Sequence, residues 1–363
     1  MRLFVGSEQT VQGIFQWQYD MKKRNGNHLK KVILYVCRVL FILIILWIVF
    51  HNHYKEIYAN IRTIKLKDLI IIIILGTSYQ FLGAYAFYCL VRKNNPQFTI
   101  YQSIETVYLG FFGNIAGLSF GSIPMRTYYL HTHHIDMGKA MSLINTDYIF
   151  HKCSVLICNT LLLTVTGFNV LKTQQNIIQY ILFGYVICLF IIMILLLIGF
   201  SKHIYSWIKH IISLLPDKEK WKTIKEKMMY HLEMMYSGSR GIKGNGKNVF
   251  IIIIVHCIKL LIMYGIPFVC LRAITNFTGS FLEIQTLGAV TNLISSALPN
   301  VSGIGAAELA FFVVFGEAVD GVSVVSVLIL YRLATYFVPF LISVIVFSRE
   351  ERIRIKRGEL LQK

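Results

Sequence analysis

Acidic residues are scarce in this chain of 363 residues: 18 Asp and Glu stand against 36 Lys and Arg, and charged residues of all kinds make up only 15%. An ordinary soluble domain carries roughly 25%, so a fully solvated globular surface is excluded. The seven cysteines, Cys37, Cys89, Cys153, Cys158, Cys188, Cys257 and Cys270, lie inside or at the ends of apolar stretches and include no Cys-x-x-Cys pair. That spacing offers neither a disulfide framework nor a zinc site, and they read as small buried hydrophobes. No nucleotide-binding loop, no Gly-x-Ser-x-Gly and no His-Glu-x-x-His is present, so no cofactor or metal is expected.

What the chain has in quantity is apolar. Hydrophobic residues reach 55% and the mean hydropathy is +0.60, the composition of a membrane protein. A nucleic-acid binder needs a solvated basic groove that such a chain lacks, so nucleic acid is not an expected partner. The formal charge of +18 then reads as a topological signal.

A bilayer core of about 30 Å takes about 20 apolar residues in a helix. Six stretches meet this, at about 32–50, 68–90, 140–166, 177–200, 248–271 and 321–347. The first follows Lys22, Lys23 and Arg24 with no apolar core before it, so it is expected to act as an uncleaved anchor. Two further apolar stretches are interrupted. The stretch 101–129 contains Gly110, Gly113, Gly117, Gly121 and Pro124, and 281–315 contains Pro299, Gly303 and Gly305. Broken backbone at membrane depth must be buried in protein or line a wet cavity, so both are expected to be re-entrant helical hairpins.

The positive-inside rule tests that reading. If both stretches turn back, 26 of the 36 basic residues fall on the cytoplasmic side and six outside. Arg38, Lys152, Lys259 and Arg332 are left within the membrane. Both termini are then cytoplasmic, and the hairpins enter from opposite sides, the geometry of an inverted repeat. Leu109-Gly110 is followed by Asn114 and Leu287-Gly288 by Asn292, so the hairpins begin alike. The expected organisation is a cytoplasmic tail at 1–31, a single all-α membrane domain at 32–347 and a basic cytoplasmic tail at 348–363. Within the domain, 201–247 is a cytoplasmic loop in which Trp221, Ile224, Met228, Leu232 and Met235 recur at helical spacing among lysines. This is an amphipathic helix on the inner leaflet or a solvated connector.

Charges inside a bilayer cost at least about 2.5 kcal/mol each and face a cavity or a partner. The candidates are Arg38, Glu105, Asp147, His151, Lys152, His256, Lys259, Glu308 and Arg332, with Arg126 just beyond the first hairpin. Asp147 and His151 share a helix face with Lys152 adjacent, and Asp147 either serves a site or neutralises these neighbours. Glu308 follows a glycine turn, where it caps a helix, acts functionally, or both. Asn114 and Asn292 either hold a lipid headgroup or satisfy freed backbone groups. Gly113, Gly117 and Gly121 form a small-residue face for close packing. His131, His133 and His134 lack companion ligands in register and read as interface residues rather than a metal cluster.

The run Gly110-Phe-Phe-Gly-Asn-Ile-Ala-Gly-Leu-Ser-Phe-Gly-Ser-Ile-Pro-Met-Arg126, with Leu298-Pro-Asn-Val-Ser-Gly-Ile-Gly-Ala-Ala-Glu308 and the later Tyr331-Arg332, resembles the flippase-like family of the lysylphosphatidylglycerol synthase transmembrane region. The resemblance covers nearly the whole chain. It implies a lipid translocase module. Asn114, Gly117, Gly121 and Arg126 match the first hairpin, and Pro299, Gly303, Gly305 and Glu308 match the second. Ser302 stands where a further glycine is common, and Pro124 intrudes before Arg126. Sixteen residues follow Phe347, so a stand-alone member without the soluble synthase domain is expected.

The expected function is movement of a phosphate-bearing lipid, aminoacylated or polyprenyl-linked, between the leaflets of the cell membrane. Asn114, Arg126, Asp147, Lys152, Asn292, Glu308 and Arg332 would contact the lipid, and a separate synthase is a candidate partner. The alternatives are a phosphatidylglycerol lysyltransferase-type lipid-modifying protein and a non-catalytic partner of a lipid or polysaccharide synthase.

Overall fold

Leu66–Arg92, the first long helix among the described residues of the computed structural model, has a sequence that shows why it forms (α1). Its run of isoleucines would be an indifferent helix former in water, but in hydrocarbon the backbone must satisfy its own hydrogen bonds. Asp68 in the first turn and Arg92 in the last suit the helix dipole. The model describes residues 59, 62–93, 95–117, 121–166, 175–200, 202–214, 225–226, 228–230, 232–233, 236, 246–275, 277–298, 305–316 and 318–361. The expected first span at 32–50 and the amino-terminal tail lie outside these residues, as do Arg38, Pro299 and Gly303.

The remaining helices are α2 (Ile100–Ala116), α3 (Ser122–Thr132), α4 (Met137–Thr166), α5 (Gln175–Phe200), α6 (Lys202–Ser213), α7 (Gly246–Ile274), α8 (Phe281–Ala297), α9 (Ala306–Phe315), α10 (Gly321–Arg332) and α11 (Val338–Leu361). A π-helical turn, Leu333–Phe337, joins α10 to α11. Among the described residues there is no strand. Among the described residues four helical segments are long and apolar enough to cross a membrane: Leu66–Arg92, Met137–Thr166, Gly246–Ile274 and Gly321–Ile353. The protein is an all-α polytopic membrane protein. Large apolar side chains stand exposed along these helices, as at Ile74, Phe81, Leu161, Phe250 and Ile345, where lipid rather than water is their natural surrounding.

In the two interrupted stretches, each pair of helices is too short to cross. Thr99 and Gln102 form a capping box that starts α2. α2 then stops at Gly117, and the chain comes back as α3. The arms run antiparallel: a Cβ on Gly110 would meet Arg126, one on Gly113 would meet Gly121, and Glu105 bonds Tyr129. The glycines thus lie between two arms of one hairpin, where they let the backbones touch. This is the close packing expected of Gly113, Gly117 and Gly121, and the break at Gly117 puts Gly121 on the opposite arm. Similarly α8 ends at Ala297 and packs against α9.

The helices surround a central contact between α1 and α7. α2 packs on α1 and α11, whereas α8 packs on α7 and α4; α1 meets the π turn, whereas α7 meets α4. Polar side chains tie these contacts at depth. Ser103 donates to the Ala84 carbonyl at 2.6 Å, Ser154 to that of Ile253 at 3.3 Å and Gln285 to that of Leu261 at 2.9 Å.

The loop 201–247 holds more helix than its sequence suggests. α6 is amphipathic in its own right, with Ile212 buried and Trp207 exposed, and Tyr205 stacks on Tyr236 at 4.3 Å. The described residues between 225 and 236 are helical, with Leu232 buried. Trp221, Ile224 and Met235 lie outside the described residues. Beyond Phe347 the chain continues as helix to Leu361, so the expected basic tail is mostly an extension of the last span.

Candidate functional site

Two ion pairs between helices, Arg126 with Asp147 and Glu308 with Arg332, dominate the polar interior among the described residues. Pro124 sits in the first turn of α3, where no backbone N–H is required, so its position before Arg126 does not interrupt the helix. The Arg126 side chain runs along α2 past Gly110, whose missing Cβ would lie 2.6 Å from the Arg126 Cδ. Its Nη2 reaches Asp147 Oδ2 on α4 at 3.2 Å, and its guanidinium covers the Phe87 ring at 4.5 Å.

The other Asp147 oxygen lies 3.3 Å from His256 Nε2 on α7. His256 is 1% exposed, and its Nδ1 is buried without a hydrogen-bond partner among the described residues. The His151 ring stands 5.6 Å from that of His256. The Lys259 ammonium lies over the Tyr79 ring at 4.6 Å, in space that Gly83 leaves open. α1, α3, α4 and α7 therefore bring two imidazoles, a guanidinium and an ammonium around one carboxylate.

The second ion pair joins α9 to α10. Gly305 adopts a φ of 101°, a conformation that L side chains rarely take. Its N–H donates to Glu308 Oε2 at 2.6 Å, while Glu308 Oε1 pairs with Arg332 Nη2 at 2.6 Å. Glu308 thus caps its helix with one oxygen and reaches the next span with the other. Arg332 is followed at once by the π turn, and its guanidinium lies 5.6 Å from the centre of the Tyr336 ring within that turn. Pro339 accounts for the irregularity: it has no N–H to return to the preceding turn.

Between the pairs lies a group of tyrosines. Asn292 Nδ2 donates to the Tyr264 hydroxyl at 2.9 Å, and Tyr264 shares one core with Tyr79 and Tyr331. Sequence reasoning passed over these three; the available signal was a polar hydroxyl in the middle of an otherwise apolar span.

The seven expected lipid contacts do not converge on one point. Arg126 and Asp147 form one pair, Glu308 and Arg332 another, and Asn292 joins the tyrosines. Asn114 is half-buried on α2. Lys152 is buried, with its ammonium over Tyr148 at 5.4 Å and its carbonyl near Cys188 of α5. It therefore turns away from Asp147 and His151, as its position on the helix dictates. Of the hairpin breaks, Gly117 ends α2, Gly121 precedes α3 and Gly305 precedes α9.

A separate latch closes the other end of the first hairpin. Glu105 accepts from the Tyr129 hydroxyl and pairs with Arg349 Nη1 on α11 at 3.2 Å; Phe112 stacks on Phe347 at 4.2 Å. Nearby, an open cleft of about 350 Å³ is lined by Gln97, Phe98, Gln102 and His134 and contains none of the expected lipid contacts. Among the described residues no three His, Cys, Asp or Glu side chains converge as metal ligands.

Residues 35–343 match the family model described as the lysylphosphatidylglycerol synthase TM region. No curated protein matches the chain.

Proposed function

The chain belongs to the family of the lysylphosphatidylglycerol synthase transmembrane region, and from that premise we propose that it is a lipid translocase. Its cargo is a phosphate-bearing lipid, aminoacylated or polyprenyl-linked, carried between the leaflets of the cell membrane with both termini cytoplasmic. The observation that carries this reading is the pairing of each short-helix unit with the next span: Arg126 with Asp147 at 3.2 Å and Glu308 with Arg332 at 2.6 Å. Charges kept at such depth are expensive and favour a polar passage over plain scaffolding.

The packing supports an inverted repeat within one membrane domain. α1, α2 and α3 compare with α7, α8 and α9, and α4 with α10 and α11, because α1–α2, α2–α3 and α3–α4 packing recurs as α7–α8, α8–α9 and α9–α10; the packing of α8 and α4 on α5 has no counterpart. In that arrangement the first pair faces the cytoplasmic half and the second the outer half. Breaking and remaking the two in turn would expose a headgroup to one leaflet and then the other. Asn114, Asn292 and Lys152 are secondary contacts in this reading, and a separate synthase would supply or consume the lipid.

The test is leaflet exchange of headgroup-labelled phosphatidylglycerol, lysylphosphatidylglycerol and polyprenyl-phosphate lipids in proteoliposomes. One lipid is expected to exchange faster than in empty vesicles, and Arg126→Ala and Glu308→Gln are expected to abolish the gain while remaining folded. No exchange above empty vesicles for any lipid overturns the reading. A lipid-modifying enzyme is the second reading, favoured by the approach of the Asp147 carboxylate to the His256 imidazole. It predicts a new lipid product by mass spectrometry and no exchange.

A further inference from the structure

One cleft and one histidine run take no part in the translocase reading. The cleft, of about 350 Å³, opens where the ends of three segments meet. Asn95 and Gln97 follow α1, Gln102 lies in the first turn of α2, and Thr132, His133 and His134 end α3. The cleft thus touches both arms of the first hairpin at their open ends.

His134 is the strongest sign that a side chain is used here. Among the described residues it is the one residue other than glycine with a positive φ, at 63°. The chain leaves α3 through a double turn: the His134 N–H donates to the His131 carbonyl and the Ile135 N–H to that of Leu130, both at 3.1 Å. Ile135 and Leu130 are buried in one core. Glycine is the usual occupant of the His134 position in such a turn, because it takes a positive φ without strain. A strained residue fixed by its surroundings points to a function for its side chain. Beside it, His133 Nδ1 lies 3.0 Å from the Tyr129 carbonyl. A carbonyl only accepts, so Nδ1 carries the hydrogen and Nε2 is left for a ligand. Gln102 Oε1 accepts from the Thr99 N–H at 2.8 Å, which leaves its amide nitrogen to donate.

The lining selects the ligand by what it lacks. No Lys, Arg, Asp or Glu lines the cleft, so a carboxylate, phosphate or ammonium would give up water there without a fixed countercharge. Neither nearby phenyl ring has a face open for stacking a flat base. Phe98 is buried and set edge-on to Phe87 at 6.4 Å, and the Tyr129 ring is covered by that of His133 at 4.4 Å. What remains are amide, hydroxyl and imidazole groups, which between them both donate and accept. Adjacent hydroxyls on a ligand need that mixture. The volume is at the small end of ligand sites, about 300–1,000 Å³, with room for a sugar but not for an acyl chain as well.

We infer that this cleft is a binding site for a neutral polyhydroxyl ligand, a sugar, held by Gln97, Gln102, His133 and His134. The site goes beyond the translocase reading and does not depend on it. The ligand would touch α2 and α3 together. His133 bonds the carbonyl of Tyr129, whose hydroxyl bonds Glu105, so an occupied cleft would brace that contact between the two arms.

The experiment is saturation-transfer NMR on the full chain in a polyoxyethylene detergent, which carries no sugar. The probes are the methyl glycosides of glucose, galactose and N-acetylglucosamine. At least one is expected to bind, and Gln97→Ala and His134→Gly are each expected to weaken it about fivefold, the scale of one neutral hydrogen bond. His134→Gly carries a second readout. Relief of the positive φ offsets the added freedom of the unfolded chain, so its thermal midpoint should be no lower than the parent's while binding falls. His131→Ala, in the same histidine run but outside the lining, is expected to bind as the parent does. No binding of any glycoside, or unchanged binding in both Gln97→Ala and His134→Gly, overturns the site. Displacement of the glycoside by an equal concentration of inorganic phosphate or acetate overturns its neutral chemistry. Free glycoside and a glucosyl diacylglycerol are expected to compete within about threefold of each other. A glucosyl diacylglycerol more than about tenfold tighter, with plain diacylglycerol inert, overturns the soluble source and assigns the cleft to a lipid-borne sugar.

Discussion

Glu308 and Arg332 are joined across 2.6 Å from the first turn of α9 to the last turn of α10. The pair sits where two backbone irregularities meet: the positive φ of Gly305 before Glu308 and the π turn after Arg332. Irregular backbone of this kind, tied by one charged contact, is well placed to rearrange.

Replacing Glu308 by Gln keeps the volume and much of the cap but removes the charge. Lipid exchange in proteoliposomes should fall at least about tenfold, as for loss of a charged hydrogen bond. Arg332→Lys, which loses the planar fork, should retain only part of the rate. Equal exchange in Glu308→Gln and the parent would show that the pair is only structural.

Asp147→Asn leaves Arg126 and His256 around a neutral amide. Breaking a buried pair by removing one partner costs about 3 kcal/mol or more, so denaturant unfolding in micelles should show a loss of that size. The double variant Arg126→Met with Asp147→Leu removes both charges and should recover most of the stability but no transport. A double variant no more stable than Asp147→Asn would mean that the pair is not what the charges are there for.

Gly121 allows the two arms of the first hairpin to touch, because a Cβ there would collide with the Gly113 backbone. Gly121→Ala should therefore lower the thermal unfolding midpoint measurably, while Gly246→Ala, with open space around its Cβ position, should leave it nearly unchanged. Comparable midpoints for the two would contradict the close approach.

Asp320 caps α10 just ahead of the candidate span Gly321–Ile353 by accepting from the Ser323 N–H at 3.0 Å. The bond to Ser323 holds its carboxyl below the ordinary carboxylate range. A group whose folded-state pKa is depressed contributes stability that is present above its unfolded pKa and lost as pH falls through the folded one. Stability should therefore decline below about pH 4, and that acid-side decline should be smaller in Asp320→Asn. Asp320→Ala should cost about 1 kcal/mol at neutral pH.

Much of this architecture was legible in the chain. The spans at 68–90, 140–166, 248–271 and 321–347 follow from apolar length alone, and the two interrupted stretches from Gly and Pro. The 177–200 stretch is the helix Gln175–Phe200, whose described apolar part is Ile178–Ile194. Partnerships were less legible. Asp147 and His151 share a helix face with Lys152 adjacent, yet a partner of Asp147 is Arg126, 21 positions earlier, because hairpin closure decides which helix lies opposite. Lys152 points elsewhere because one residue is about 100° of rotation on a helix. The π turn could not be anticipated from Leu333–Phe337 itself, since its cause is Pro339 beyond it.

That turn has a mechanical meaning for the far end of the molecule. A π turn holds one residue more than an α-helical turn, so it stores a fixed amount of twist. Returning it to α-helical winding would rotate everything beyond Val338 by about 100°, and with it Phe347 and Arg349. Those are the two residues that grip Phe112 and Glu105 of the first hairpin. A local change of winding beside Arg332 thus becomes a torque on the first hairpin, so that the Glu308–Arg332 pair and the Glu105–Arg349 latch are two ends of one shaft.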